Sequence, residues 1–166
     1  MKSRKDGVLM PLICGGGMVL SYIVMRFIYK GKYDFLHIIS ETVAFPPMWI
    51  FSFFYMISYF MLGVSLGFLI QKLSCGCMSV LDKIFFYKGL VAYSILFFLE
   101  LSWYSTLLVL QMPILSFMVM LITILSAALL LYFWSKVSIG YALFTLPCLL
   151  WSAYLLILNL TVLFTI

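Results

Sequence analysis

The side chains of this 166-residue chain that could do chemistry are few, because only 9% of its residues are charged. Glu100 is a carboxylate within a long apolar run, where an ionisable group is costly enough to suggest proton transfer or ion contact. The alternative is a neutral acid that is hydrogen-bonded to a neighbouring helix. Asn159, in the last apolar run, has the same two interpretations, and a helix–helix hydrogen bond is the more common of them.

Aromatic residues form a second candidate site, directly after a double proline. Pro46 and Pro47 suit the first turn of a helix, where the missing N–H of proline is not needed. Phe51, Tyr55 and Tyr59 follow at a spacing of four, so they share one helix face. This stripe either lines a cavity or packs against neighbouring helices, and periodicity alone favours packing.

Two tryptophans extend the aromatic set. Trp49 fits the aromatic belt that marks a membrane interface. Trp103 follows Glu100 by three residues, and the helix face that they share also carries Tyr93 and Phe97. Because that face holds a carboxylate, we expect it to point into the protein rather than toward lipid.

Thiol and metal chemistry has less support. Cys75 and Cys77 flank a glycine in a connecting loop, whereas Cys14 and Cys148 lie in apolar runs, which is not the pattern of a disulfide framework. A metal at the Cys-Gly-Cys segment would need further ligands, and His37, the only histidine, lies in a different loop. A Gly-rich phosphate loop, a His-Asp-Ser set and a carboxylate pair are all missing from the sequence, so we predict neither a catalytic nor a metal site.

The elements that must position these residues are transmembrane helices. Hydrophobic residues make up 66% of the chain, against about 45–50% in soluble domains. About 20 helical residues cross the hydrocarbon core, and the apolar runs show no alternation of the kind that β-barrel strands have. The sequence therefore predicts one domain over residues 1–166, an all-α bundle of five transmembrane helices. The predicted helices cover residues 7–29, 46–70, 89–110, 113–134 and 139–166, with a loop over 31–45.

Positive charges predict the orientation of the bundle, because cytoplasmic loops carry an excess of Lys and Arg. The N-terminus, the loop over 71–88 and Lys136 share the basic face, whereas the first loop dilutes its basic residues with Asp34 and Glu41. We therefore expect a multi-pass membrane protein with a cytoplasmic N-terminus, in the inner (cell) membrane if the host is a bacterium. The net charge of +5 follows from this rule and from contact with anionic headgroups, so no nucleic acid partner is expected.

Prolines, aromatic residues and an asparagine recur at a characteristic spacing in three of the predicted helices. The residues of this pattern are Pro46, Pro47, Trp49, Phe51, Tyr55, Tyr59 and Gly63, then Trp103, then Pro147, Trp151 and Asn159. The pattern resembles the TspO/MBR family of tryptophan-rich sensory and translocator proteins, with Tyr55 at a position where the family has Trp. The family's helix-three asparagine is Glu100 here, and its Lys-Pro and Trp before the proline pair are Glu41, Thr42 and Ala44, so the chain resembles a divergent member.

The resemblance implies a five-helix bundle, often dimeric, with a pocket beneath the first loop for flat apolar ligands such as porphyrins, haem or sterols. Stacking and burial suit such ligands, at about 25 cal/mol per Å² of apolar area plus about 0.5–1.5 kcal/mol for each aromatic pair. No cofactor is required, the expected ligand is a porphyrin, haem or sterol, and membrane lipids and a second copy of the chain are the other expected partners. The expected ligand-binding residues are Pro46, Pro47, Trp49, Phe51, Tyr55, Tyr59, Glu100, Trp103, Trp151 and Asn159, under a lid over 31–45.

Three classes of function follow from these features. The leading one is a membrane protein that binds, transports or senses porphyrin-like or sterol-like and lipid-like ligands in an aromatic pocket. The second is a small secondary transporter or proton-coupled carrier in which Glu100 is the titrating group. The third is an enzyme, since the resemblance brings in a proposed photochemical breakdown of porphyrins, but no general acid–base pair in the sequence supports it.

Overall fold

The computed structural model describes residues 6–29 and 47–165, and these ranges hold helices and turns without a strand. Five helical segments in this part are long and apolar enough to cross a membrane, which confirms the predicted all-α fold. The lid predicted over 31–45, together with Pro46 and His37, lies outside the described residues. The helices are α1 (Asp6–Ile28), α2 (Met48–Ser74), α3 (Val80–Tyr104), α4 (Pro113–Val137), α5 (Ile139–Ala142) and α6 (Leu146–Thr165).

The start of α3 differs from the prediction, because the helix begins at Val80 rather than at residue 89. A capping box starts it there: the backbone N–H of Asp82 donates to Ser79 Oγ, and the backbone N–H of Ser79 donates to Asp82 Oδ2, each over 3.1 Å. The prediction relied on apolar residues alone, so it missed the first two turns of α3, which carry charged residues. α2 likewise continues past the predicted end at residue 70 as far as Ser74.

A tight reversal connects α3 to α4. After Tyr104 the helix widens into a π-helical turn over Ser105–Val109, and the chain then turns at Gln111, whose φ is 52°. Pro113 follows at the start of α4, where its fixed φ suits the first helical turn. The two helices therefore run antiparallel and pack along each other.

Close packing of α1 on α2 depends on glycines of α2. A Cβ atom at Gly63 would overlap the carbonyl oxygen of Cys14, and one at Gly67 would overlap the backbone of Pro11. Small residues of this kind let membrane helices approach closely. Gly16 and Gly17 of α1, by contrast, face open space.

The last span joins the two halves of the bundle. It consists of α5, a 3-10 turn over Leu143–Thr145, and α6, and it contacts both α2 and α4. The core of the protein lies where α2, α3 and α6 meet, and Tyr55, Trp103 and Leu155 are almost fully buried there. This junction positions the candidate site.

Candidate functional site

The predicted stripe of α2 faces the core. Phe51, Tyr55 and Tyr59 expose 2%, 0% and 2% of their surface, as their spacing of four along one helix face predicts. Trp103 of α3 and Trp151 of α6, two other predicted site residues, are also buried. Residues from three different helices therefore turn their rings toward one region.

These rings contact one another directly. Phe51 and Trp103 have centroids 6.3 Å apart at an interplanar angle of 28°, whereas Trp151 meets Phe51 edge-on at 5.2 Å and Tyr55 at 5.4 Å. Tyr22 of α1 stacks on Tyr55 at 5.4 Å and 8°. We call this set the aromatic cluster: Tyr22, Phe51, Tyr55, Tyr59, Trp103 and Trp151.

Tyr22 is a member of the cluster that sequence reasoning missed. It exposes 4% of its surface, and it lies beside both Tyr55 and Tyr59. The sequence feature that could have identified Tyr22 is its position at bilayer depth in a helix with few other polar groups. A phenol in that position needs a polar partner or a packed site.

Glu100 lies against the aromatic cluster and joins three helices. Its side chain is 2% exposed. Ser152 Oγ of α6 donates to Glu100 Oε1 over 2.8 Å, and Tyr55 of α2 donates its hydroxyl to Glu100 Oε2 over 3.3 Å. Both partners are neutral hydroxyl groups, so the arrangement matches the interhelical hydrogen-bond interpretation of Glu100. Ser152 was not predicted, since nothing in the sequence pairs it with α3.

Asn159 holds the far side of the cluster in place. It is 2% exposed, and its amide donates to the carbonyl oxygen of Leu155, one turn earlier in α6, over 2.7 Å. Its Oδ1 accepts from Ser116 Oγ of α4 and from Trp103 Nε1 of α3, the latter over 3.4 Å. The amide group thus orients the Trp103 ring and connects three helices.

Two predicted site residues do not reach the cluster. Trp49 is 71% exposed. It precedes Phe51 by two residues, and two steps of about 100° along a helix turn a side chain to the opposite side. Pro47 is exposed and precedes α2 as its N-cap, where its carbonyl oxygen accepts from the N–H of Ile50 over 2.9 Å. Trp49 therefore fits the interfacial belt, and Pro47 starts the helix.

Open space adjoins the cluster on the outer side of the bundle. A groove of about 540 Å³ runs between α2 and α6, and Trp151 forms its inner wall. Phe54 stacks on the Trp151 ring at 5.5 Å and 13°, and Tyr154 stacks on it at 5.2 Å and 28°. Other residues along the groove are Ile50, Ile57, Ser58, Pro147 and Leu150. We call this space the α2–α6 groove.

Polar groups in and beside the groove are sparse. Ser58 Oγ donates to the carbonyl oxygen of Pro147 over 3.3 Å, which ties α2 to α6. The indole N–H of Trp151 is buried and finds no acceptor among the residues that the structure describes. A buried donor of this kind costs about 1–3 kcal/mol unless something accepts its hydrogen.

The cysteines do not form a metal site within the described ranges. Cys75 and Cys77 are exposed, Cys14 is partly buried, and Cys148 is buried in α6. No group of three or more His, Cys, Asp or Glu side chains in residues 6–29 and 47–165 could hold a metal ion.

Comparison with known proteins identifies the chain at family level. A family model described as the TspO/MBR family matches residues 9–165, which covers nearly the whole chain. No curated protein and no solved structure matches it. Together with the five apolar spans, the match makes this a multi-pass integral membrane protein. The chain belongs to the TspO/MBR family.

Proposed function

We propose that this protein binds flat, apolar ligands of the porphyrin, haem or sterol type within the membrane, for transport or sensing. The observation that carries the proposal is the buried aromatic cluster, which adjoins an apolar groove through the ring of Trp151. Membership of the TspO/MBR family supports it. The ligand is a substrate or signal rather than a cofactor that the fold requires.

The groove suits a ligand of this class in size and in chemistry. Its volume of about 540 Å³ lies within the roughly 300–1,000 Å³ typical of small-molecule sites. The stacked rings of Phe54, Trp151 and Tyr154 offer flat apolar surface, and each favourable aromatic pair adds about 0.5–1.5 kcal/mol to burial. Once the Trp151 ring rotates, a ligand oxygen can accept its buried N–H, which has no acceptor among the described residues, and so fix the orientation of the ligand.

Access from the lipid side follows from this geometry. The rings of the aromatic cluster contact one another, so a ligand that enters from the membrane first meets the α2–α6 groove. Deeper entry requires the Trp151 ring to rotate away from Phe51 and Tyr55. The protein then acts as a membrane receptor for molecules that already partition into the bilayer.

Titration of protoporphyrin IX into the purified protein in nanodiscs tests the proposal. We expect saturable quenching of tryptophan fluorescence and an affinity that Trp151→Ala lowers about tenfold, the loss of roughly one stacked pair. Trp49→Ala is the matched control, because Trp49 is exposed and lies outside the cluster. Equal affinities for the two variants, or quenching that does not saturate, would contradict ligand binding at this site.

Glu100 supports a second candidate, a proton-coupled carrier. Its carboxyl lies buried between α2 and α6, and each of its oxygens accepts a hydrogen bond from a hydroxyl group. Ionisable groups at such depth often belong to proton pathways. Glu100→Gln keeps the shape of the side chain but replaces the titrating carboxyl with an amide. We expect it to abolish pH-dependent flux in proteoliposomes, and unchanged flux would remove this candidate.

We also propose an orientation of the protein in the membrane and its assembly with a second copy. Lys72, Lys83, Lys88 and Lys136 lie at the end of the bundle where α2 and α4 end and α3 begins. By the positive-inside rule that end faces the cytoplasm. The N-terminus lies on the same side, because two spans separate it from the start of α3. We expect an inner-membrane location if the host is a bacterium, with membrane lipids and a second copy of the chain as partners.

A further inference from the structure

A second depression lies at the basic end of the bundle, far along α2 from the aromatic cluster. It has a volume of about 540 Å³, and Lys72, Ser138, Tyr141 and Phe68 are among the residues that line it. α2 ends at Ser74, α4 ends at Val137, and the last span begins at Ile139. Since three spans terminate around it, the depression lies at the level of the lipid headgroups.

Lys72 is held in place at this site. Its Nζ donates to the carbonyl oxygen of Val137, at the end of α4, over 2.8 Å. An ammonium group carries three protons, so one bond fixes its position while the others remain for a ligand. A lysine that is already oriented loses less side-chain entropy when it binds an anion.

The end of the bundle that holds the depression carries several lysines. Lys83 lies in the first turn of α3 and Lys136 in the last turn of α4, at the same end of the bundle as Lys72. Asp82 adds one negative charge at this end, and its carboxylate accepts a hydrogen bond in the capping box at the start of α3. Lys72 therefore favours an anionic ligand, and the excess of lysine over Asp82 at this end attracts anions, as basic residues do beside anionic membrane surfaces.

One wall of the depression is aromatic. The Phe68 ring stacks on Tyr141 at 5.0 Å and 7°, and on Phe144 at 5.8 Å and 28°. Ser65 Oγ fixes this wall by donating to the carbonyl oxygen of Tyr141 over 2.7 Å. The depression thus combines a cation with flat apolar surface, which suits a phosphate that carries hydrocarbon better than a free ion.

We propose that this depression binds the headgroup of an anionic phospholipid. Lys72 contacts the phosphate, the hydroxyl of Ser138 donates a second hydrogen bond to it, and the carbon atoms that follow the headgroup lie along Phe68 and Tyr141. This site is separate from the ligand site at the aromatic cluster, and either proposal stands without the other.

Native mass spectrometry of the purified full chain, with phosphatidylglycerol or phosphatidylcholine added in equal amounts, tests the site. We expect selective retention of phosphatidylglycerol, and a loss of about tenfold in that retention for Lys72→Gln, as for one charge-assisted hydrogen bond. Lys88→Gln is the matched control, because it removes the same charge at the same end from an exposed residue that does not line the depression.

A second variant keeps the test valid if Lys72→Gln does not fold without its bond to Val137. Ser138 is the N-cap of α5, where aspartate is equally favoured, so Ser138→Asp preserves the helix while its charge repels a phosphate. We expect it to lower phosphatidylglycerol retention as strongly as Lys72→Gln. Equal retention of the two lipids, or equal losses for Lys72→Gln and Lys88→Gln, would overturn the proposal. So would displacement of the lipid by millimolar inorganic phosphate, since the site would then take the free anion.

Discussion

The indole N–H of Trp103 on α3 donates to Oδ1 of Asn159 on α6 across 3.4 Å. Ser116 of α4 donates to the same oxygen, so one amide oxygen connects three helices at the edge of the aromatic cluster. In a membrane, where hydrophobic burial does little to hold helices together, contacts of this kind decide how they pack. The position of the Trp103 ring, and with it the shape of the cluster, therefore depends on Asn159.

Asn159→Ala tests this dependence. The change removes two interhelical hydrogen bonds, worth about 0.6 kcal/mol each, and the packing of the buried amide side chain. We expect the free energy of unfolding to fall by about 1–3 kcal/mol, measured by unfolding in sodium dodecyl sulfate. Ile157→Ala, on the lipid-facing side of the same helix, is the control and should change it much less. Equal losses of stability for the two variants would mean that the interhelical hydrogen bonds of Asn159 do not stabilise the bundle.

Some parts of this site could be predicted from the sequence, because they follow from one helix at a time. The inward stripe of Phe51, Tyr55 and Tyr59 needs only the spacing of four, and the burial of Glu100 needs only the cost of a carboxylate in lipid. Helix geometry alone also predicts that the side chain of Trp49 points to the side of α2 opposite Phe51. The place of Trp49 among the ligand-binding residues comes from the family resemblance instead, whereas its side chain is 71% exposed and lies outside the cluster.

Other parts of the site could not be predicted, because they depend on which helices meet. Ser152 reaches Glu100 only because the fold brings the two side chains together, and the sequence separation of 52 residues gives no hint of this. The α2–α6 groove likewise exists between two helices, so neither sequence segment contains it. No residue type in Ser105–Val109 predicts that the helix widens into a π-helical turn after Tyr104.

The two hydrogen bonds of Glu100 should contribute modestly to stability. We expect Glu100→Gln to change the free energy of unfolding by about 1 kcal/mol or less, since the amide oxygen can accept from one hydroxyl group while the amide NH2 donates to the oxygen of the other. Glu100→Leu should cost more, because it removes the hydrogen bond between Tyr55 and the carboxyl, whereas Ser152 can still donate to the carbonyl oxygen of Cys148 over 2.9 Å. A larger loss for Gln than for Leu, again in dodecyl sulfate, would contradict this account.

Alanine substitutions at one glycine of α2 and at one glycine of α1 should have different effects on stability. Gly63→Ala should lower the melting temperature in detergent, because its Cβ would overlap the carbonyl oxygen of Cys14 and overpacking costs about 1–3 kcal/mol. Gly16→Ala has open space around it and should be neutral or stabilising by up to about 1 kcal/mol, through better helix propensity. Both variants make the same chemical change in the same helix pair. A lower melting temperature for Gly16→Ala would indicate that another surface packs against α1.

The place where ligands enter can be tested by filling the α2–α6 groove. Leu150 lines the groove and is 67% exposed, so Leu150→Trp adds a ring to the groove without disturbing the core. If ligands bind against Trp151 from the lipid side, protoporphyrin affinity should fall at least about tenfold, the effect of losing one stacked pair or more. Ile157→Trp places the same ring on an exposed position of α6 outside the groove and should leave the affinity unchanged. An unchanged affinity for Leu150→Trp, combined with a loss for Trp151→Ala, would instead mean that the ligand approaches the inner face of Trp151 from within the bundle. The groove would then be a lipid-filled surface rather than the entrance.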